Sequence, residues 1–184
     1  YDFETGSKNH PDKYLFDVSN PDFQIVSAKE TNAYPETEIH RTMIMVKDDE
    51  IAKPFIIDVV KILSNKSNQY DLPFYYFGQV IGTSFKYDTP KTLTTLGEKY
   101  GYNHIWKEGA GVANKESIQF TWLDNRRFYS ITSSTNKNDE IILARIGAND
   151  PEFNLRKDPS LILRKKNTKN TVFASIIESH GTYD

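Results

Sequence analysis

Apolar and polar positions alternate along much of this chain in short runs. In SIQFTWLD, Ile118, Phe120 and Trp122 fall on one side and Gln119 and Thr121 on the other; in RRFYSITSST, Phe128 and Ser130 oppose Arg127, Tyr129 and Ile131. A period of two is that of a half-buried β-strand. Further segments rich in β-branched and aromatic residues are HRTMIMVKD, KPFIIDVVKIL, DEIILARIG, SLILRKK and TVFASIIES, set apart by Gly, Asn, Asp and Ser clusters. Such clusters favour turns, so the pattern predicts antiparallel strands. WLDNRRFY predicts a hairpin turning at Asp124-Asn125. No heptad is sustained, and KTLTTLGEKYG allows only short helical turns stopped by Gly97 or Gly101. GANDPEFN, with Asn149, Asp150 and Pro151, reads as a loop. The expected fold is all-β: an antiparallel two-sheet β-sandwich with long loops.

A length of 184 residues makes one domain, 1–184, the natural unit. Lys plus Arg number 23 against 25 Asp plus Glu, a net charge of -2, so no global basic field points to nucleic acid or an anionic membrane. No apolar run approaches the roughly 20 residues that a membrane-spanning helix needs. The start YDFETGSKNH lacks the pattern of a signal peptide, and its non-Met first residue suggests a piece of something longer. With no cysteine, thiolate nucleophiles and Cys-type zinc sites are excluded.

Among candidate chemical groups Asp58 is the oddest. Alternation in PFIIDVVKIL groups it with Ile56, Val60 and Ile62, an otherwise apolar face, where an ionised carboxylate costs several kcal/mol unless paired or bound to a metal. His40 lies in the preceding strand with Thr42, Ile44 and Val46; if the two strands are neighbours, His40 and Asp58 could face each other. His104, in GYNHIWKE with Trp106, is a third candidate. Two imidazoles and a carboxylate form a set that zinc accepts. The bland alternative is that Asp58 caps backbone amides in a bulge and both histidines are half-buried. His10 and His180 have no evident partners. Arg126-Arg127 reads as a solvated hairpin tip, and Arg164, Lys165 and Lys166 read as charges that blunt an edge strand.

NQYDLPFYYFGQ packs Tyr70, Phe74, Tyr75, Tyr76 and Phe77 into one stretch. Together with GYNHIW, GANDPEFNLR and TVFASIIESHGTY, it resembles the C-terminal β domain of heparinase II/III-like polysaccharide lyases, and most of all their oligo-alginate lyase branch. The resemblance spans about Ile39 to Tyr183. It implies an N-terminal helical toroid as partner domain, with the active-site cleft between toroid and sandwich, and a uronate oligosaccharide such as alginate as substrate. It also implies a structural zinc held by His40, Asp58 and His104: the eighteen-residue step from His40 to Asp58 and the Gly-Tyr-x-His context both match.

The same resemblance places a tyrosine of this segment at the cleft. Tyr75 is the best carry-over as catalytic residue, Tyr76 is the competing choice, and Tyr70 a further substrate contact. A lyase must take a proton from C5 of a uronate and protonate the departing O4, work that phenols can do. Alternation still assigns Phe74 and Tyr76 to one face and Tyr75 and Phe77 to the other, so half of these rings are expected in the core. Asn68 stands where relatives often carry histidine. The implied protein is a periplasmic or secreted bacterial lyase, with a homodimer of the full-length enzyme allowed, and the isolated chain is expected to be inactive. The other function class is a non-catalytic carbohydrate-binding or structural sandwich.

Overall fold

The structure, a computed structural model, describes residues 3–147 and 155–182. The GANDPEFN loop expectation lies almost wholly outside the described residues. After a short helix α1 (Phe3–Ser7) come β1 (Asp12–Asn20), β2 (Phe23–Glu30), β3 (Thr37–Val46), β4 (Phe55–Ser64), β5 (Asn68–Tyr75), β6 (Gln79–Thr83) and β7 (Thr94–Thr95). Then follow a single 3-10 turn (Tyr102–His104), β8 (Ile105–Val112), β9 (Ser117–Asp124), β10 (Arg127–Ser134), β11 (Glu140–Gly147), β12 (Leu155–Thr168) and β13 (Thr171–Thr182). The KTLTTLGEKYG stretch forms β7 and turns instead of α-helix. No helix among the described residues is long and apolar enough to cross a membrane.

Two antiparallel sheets form the predicted all-β sandwich. One has eight strands in the order β1-β2-β3-β4-β13-β10-β9-β6, the other five in the order β5-β12-β11-β8-β7. The period of two decides which side chains meet between them. From the larger sheet come Val60, Ile62, Phe173, Ile131, Ile118, Phe120 and Trp122; from the smaller come Leu72, Phe74, Ile141, Leu143, Leu161 and Leu163. Burying each of the larger side chains contributes about 1.5–3 kcal/mol. Tyr76 packs edge-on to Phe120 with centroids 5.0 Å apart, and Trp122 stacks on Tyr129 at 5.3 Å.

The β9–β10 hairpin forms one position later than expected. Asp124 pairs with Arg127, and the two turn residues Asn125 and Arg126 have φ of 46° and 66°, the left-handed backbone that tight two-residue hairpins require. The basic run at 164–166 does not blunt an edge. β12 lies between β5 and β11, and Arg164 and Lys165 are buried and ion-paired, to Asp71 at 2.7 Å and Asp139 at 3.0 Å. Only Lys166 stays exposed.

The outer side of the five-stranded sheet is partly covered. Ile142, Ala144 and Ile162 point away from the sandwich interior and are buried under Leu96 and Ile105. Thus the segment 94–105 crosses this face as a strap. Beside it residues 86–88 lie against β8, bridged through Asp88 and Ala110. Gly111 permits that approach: a Cβ there would sit 2.2 Å from the Lys86 carbonyl oxygen.

Candidate functional site

The aromatic segment divides as alternation requires. Phe74 and Tyr76 are buried, whereas Tyr75 is 61% and Phe77 66% exposed. Tyr75 ends β5 on the outer side of the five-stranded sheet, opposite Ser160. The register continues across the sheet from Ser160 to Ala144 and Lys107, so one row runs from Tyr75 to Lys107. Four residues before Tyr75 on the same side, Asp71 pairs with Arg164.

Asp71 is the hub of a nearly buried network that sequence reasoning missed. Arg164 donates two hydrogen bonds to its carboxylate, Nε at 2.8 Å and Nη2 at 2.7 Å, and the Tyr102 hydroxyl donates a third at 2.6 Å. Arg164 also sits over the Tyr102 ring at 5.8 Å and within 3.8 Å of Glu140. Burial, reinforced by the Asp71 hydrogen bond, pushes the Tyr102 phenol up to about 12. It therefore stays protonated and acts as a donor that ties the strap to β5. Burial works against the Arg164 charge, but the bonds and charge of Asp71 outweigh it, so the guanidinium is held protonated. Only the isolated charge of Asp71 beside apolar Leu72 hinted at this network; its partners lie far along the chain.

The three tyrosines singled out from sequence do not form one wall. Tyr76 is 8% exposed in the core, and burial, with the nearby Glu108 charge, pushes its phenol up to about 12. Tyr70 is half-buried on the inner side of β5, where its hydroxyl donates to the Lys169 carbonyl at 3.3 Å and accepts from Asn68 Nδ2 at 3.1 Å. Tyr75 alone of the three presents its ring outward. Asn68, in turn, is used in holding Tyr70 and the Ser64 turn.

The proposed zinc ligands are not brought together either. β3 and β4 are antiparallel neighbours as expected, but His40 pairs with Lys61 and Asp58 pairs with Met43. Asp58 is thus three positions from the residue opposite His40, an odd offset that puts the two side chains on opposite faces. Asp58 points inward, 1% exposed, and accepts two hydrogen bonds from Arg41, at 2.9 Å and 2.8 Å. Neither the metal nor the backbone-capping alternative describes it; an arginine neutralises it. His40, on the other face, bonds Ser27 Oγ at 2.7 Å and meets the Tyr14 ring at 4.6 Å. His104 is exposed on the strap of the other sheet, its Nε2 2.9 Å from Asn103 Nδ2. Among the described residues no group of three His, Cys, Asp or Glu side chains could hold a metal ion. The donor set does not fit the zinc that the resemblance implies. His180, left without a partner in the sequence, lies 2.6 Å from the buried Ser130 hydroxyl.

The chain is homologous to part of two larger proteins. It is 37% identical over 187 residues to an exo-oligoalginate lyase of Saccharophagus degradans, a match that covers 100% of the chain and 25% of that protein. It is 32% identical over 176 residues to an alginate lyase of Stenotrophomonas maltophilia, covering 95% of the chain and 24% of the relative. The chain thus spans about a quarter of the length of these relatives. No protein-family model matches. In fold it is similar to a heparinase III, with a TM-score of 0.55 at 7% identity over 94% of this chain and 22% of that one. It is also similar to the heparan sulfate lyase HepC of Pedobacter heparinus, with a TM-score of 0.51 at 11% identity over 95% and 22%.

Proposed function

We propose that this chain is the β-sandwich domain of a polysaccharide lyase acting on uronate chains of the alginate type, and that its Tyr75 face forms one wall of the active-site cleft. The observation that carries this reading is Tyr75 itself: a phenol 61% exposed at the end of β5, between the buried rings of Phe74 and Tyr76, in a chain homologous along its length to alginate lyases.

The reaction is a β-elimination. A base removes the C5 proton of the uronate, charge builds up on the sugar carboxylate, and the O4 bond breaks as that oxygen takes a proton. Tyr75 is suited to the proton transfers, because its hydroxyl is free to approach the sugar ring. The Asp71–Arg164–Tyr102 network keeps the face rigid beside it without entering the chemistry. The remaining groups, including those that neutralise the sugar carboxylate, belong to the rest of the full-length protein, the helical partner domain. The same reading assigns the protein to the bacterial periplasm or the outside of the cell, where a charged polymer of this kind would be met. Zinc takes no part in this reading, since His40 and Asp58 face apart.

In the full-length protein Tyr75→Phe should lower kcat on oligo-alginate by about 10²–10⁴-fold, the usual contribution of a proton-transfer group. Its melting temperature should stay unchanged, because the hydroxyl is exposed. Near-normal turnover would remove Tyr75 from the chemical step and leave this face a carbohydrate-binding surface.

A further inference from the structure

The outer side of the eight-stranded sheet carries an apolar block at its centre. One row runs straight across four strands: Ile25 of β2 pairs with Ile44 of β3, Ile44 with Ile57 of β4, and Ile57 with Ile176 of β13. The row below it holds Phe23, Val46 and Phe55, and the row above it includes Val59 and Ala174. The pairing is regular throughout, so these side chains share the face of His40, opposite to the buried Asp58. The block has sharp limits. The isoleucine row continues into Thr132 of β10 and Gln119 of β9, and the next row up is Lys29, His40 and Lys61.

The sequence of β4 has the same meaning. Phe55, Ile57 and Val59 face outward while Ile56, Val60 and Ile62 face inward, so the strand is apolar on both sides. A sheet with one side in water alternates, as β9 does, whereas a near-continuous apolar run belongs to a strand covered on both. Yet Phe23 is 46% and Ile176 39% exposed. On the five-stranded sheet the strap covers Ile142 and Ile162 from outside; among the described residues no buried cluster does the same for the isoleucine row. The core between the sheets is complete without such a cover, which would meet the other side of the same strands.

The chemistry and size of the block select its occupant. The isoleucine row offers a charged sugar no hydrogen-bonding group. Four strands about 4.8 Å apart and three rows about 6.8 Å apart make a patch of about 400 Å², about half of the roughly 800 Å² per partner of a free-standing complex. A tethered partner needs less, because linkage turns association into an intramolecular step. The chain spans about a quarter of its relatives, so most of each relative lies outside the match and supplies such a partner.

We propose that the outer face of β2, β3, β4 and β13 is the docking face for an apolar layer supplied by the rest of the full-length protein. It does not rest on the chemistry assigned to Tyr75, which lies on the opposite side of the sandwich. The sandwich is then a middle layer, anchored on one side and open to the cleft on the other.

The test is hydroxyl-radical footprinting of the full-length protein, read at each residue as the ratio of its oxidation rate in the unfolded chain to that in the native state. On a bare face Phe23, 46% exposed, would give a ratio of only about two; beneath a packed layer Phe23 and Phe55 should give about ten or more, since the centre of an interface is fully buried. A ratio near two at Phe23 would overturn the proposal. So would protection that fades on dilution in step with dissociation of a dimer in sedimentation velocity, because the face would then belong to a second copy. The variant Ile176→Lys should lift the protection of Phe23 and Phe55, while Phe120, enclosed between the sheets, keeps its own and so reports an intact fold. Unchanged protection of Phe23 and Phe55 in that variant would show that no apolar layer meets the isoleucine row.

Discussion

The Asp58 carboxylate is fully buried, while its partner Arg41 keeps 46% of its side chain in water. That asymmetry predicts unequal costs. Arg41→Ala leaves an ionised carboxylate inside the sandwich with its two hydrogen bonds gone, a loss of about 3–5 kcal/mol. Asp58→Asn leaves a cation that swings into solvent, a cost nearer 1–2 kcal/mol. Urea unfolding of the two variants checks the order, and equal or reversed losses would show that Arg41 does not neutralise Asp58. Two phenols set the alkaline limit. Tyr76 and Tyr102 are each raised to about 12, against an unfolded value of 10, so the unfolded chain releases their protons first. Their contribution is complete below pH 10 and is lost as pH rises toward 12, with a slope approaching two protons. Tyr102→Phe and Tyr76→Phe should each remove about one proton from that slope in a pH series of denaturation curves. That Asp58 needed a partner was legible in the sequence. Which partner it has was not, because a one-residue choice between His40 and Arg41 depends on the register across the β3–β4 turn.

Single strands were readable because a period of two is local, and so were the chain-adjacent pairs β3–β4 and β9–β10; pairings between strands far apart in the chain were not. The Ile118, Phe120 and Trp122 face is buried as the pattern required. By contrast β12 reads in isolation as an edge strand with a basic end, and only its pairing to β5 and β11 turns Arg164 into a buried ion-pair partner. Turns carry their own tests. Arg126 holds φ at 66°, a backbone that costs a side-chain-bearing residue about 1 kcal/mol, so Arg126→Gly should stabilise the hairpin by about 0.5–1 kcal/mol. An unchanged or lower denaturation midpoint would mean that the arginine earns its place by a contact in the unfolded or partner-bound state. At the β5–β6 connection the contrast is sharper. Gly78 has φ of 91° and a Cβ there would lie 2.0 Å from the Leu123 carbonyl oxygen, whereas nothing lies within 4 Å of a Cβ at Gly82. Gly78→Ala should cost at least about 2 kcal/mol and shift β6 away from β9, while Gly82→Ala should be close to neutral. Thermal melts of the pair separate a backbone requirement from a general intolerance of this edge.

At the scale of the whole molecule, what holds the sandwich together is contact between distant parts of the chain. Leu72 pairs with Leu163, and Val60 with Phe173, so both sheets close only when the C-terminal strands arrive. The two layers supply their own core, with Phe120, Ile141 and Leu161 wholly enclosed. Nothing in that packing calls for a further domain, whereas the proposed chemistry does, because the Tyr75 face is open and the chain spans about a quarter of its relatives. Folding and activity are therefore expected to separate. The isolated 184-residue chain should unfold in one cooperative transition and refold slowly, in milliseconds to seconds, as non-local strand pairing demands. Mixed with alginate oligomers it should produce no rise in ultraviolet absorbance from new unsaturated ends, while the full-length protein does. A broad, non-cooperative melt would show that the sandwich depends on its partner for stability. Lyase activity in the isolated chain would show that this face completes the site alone, and that Tyr75 has its chemical partners within these two sheets.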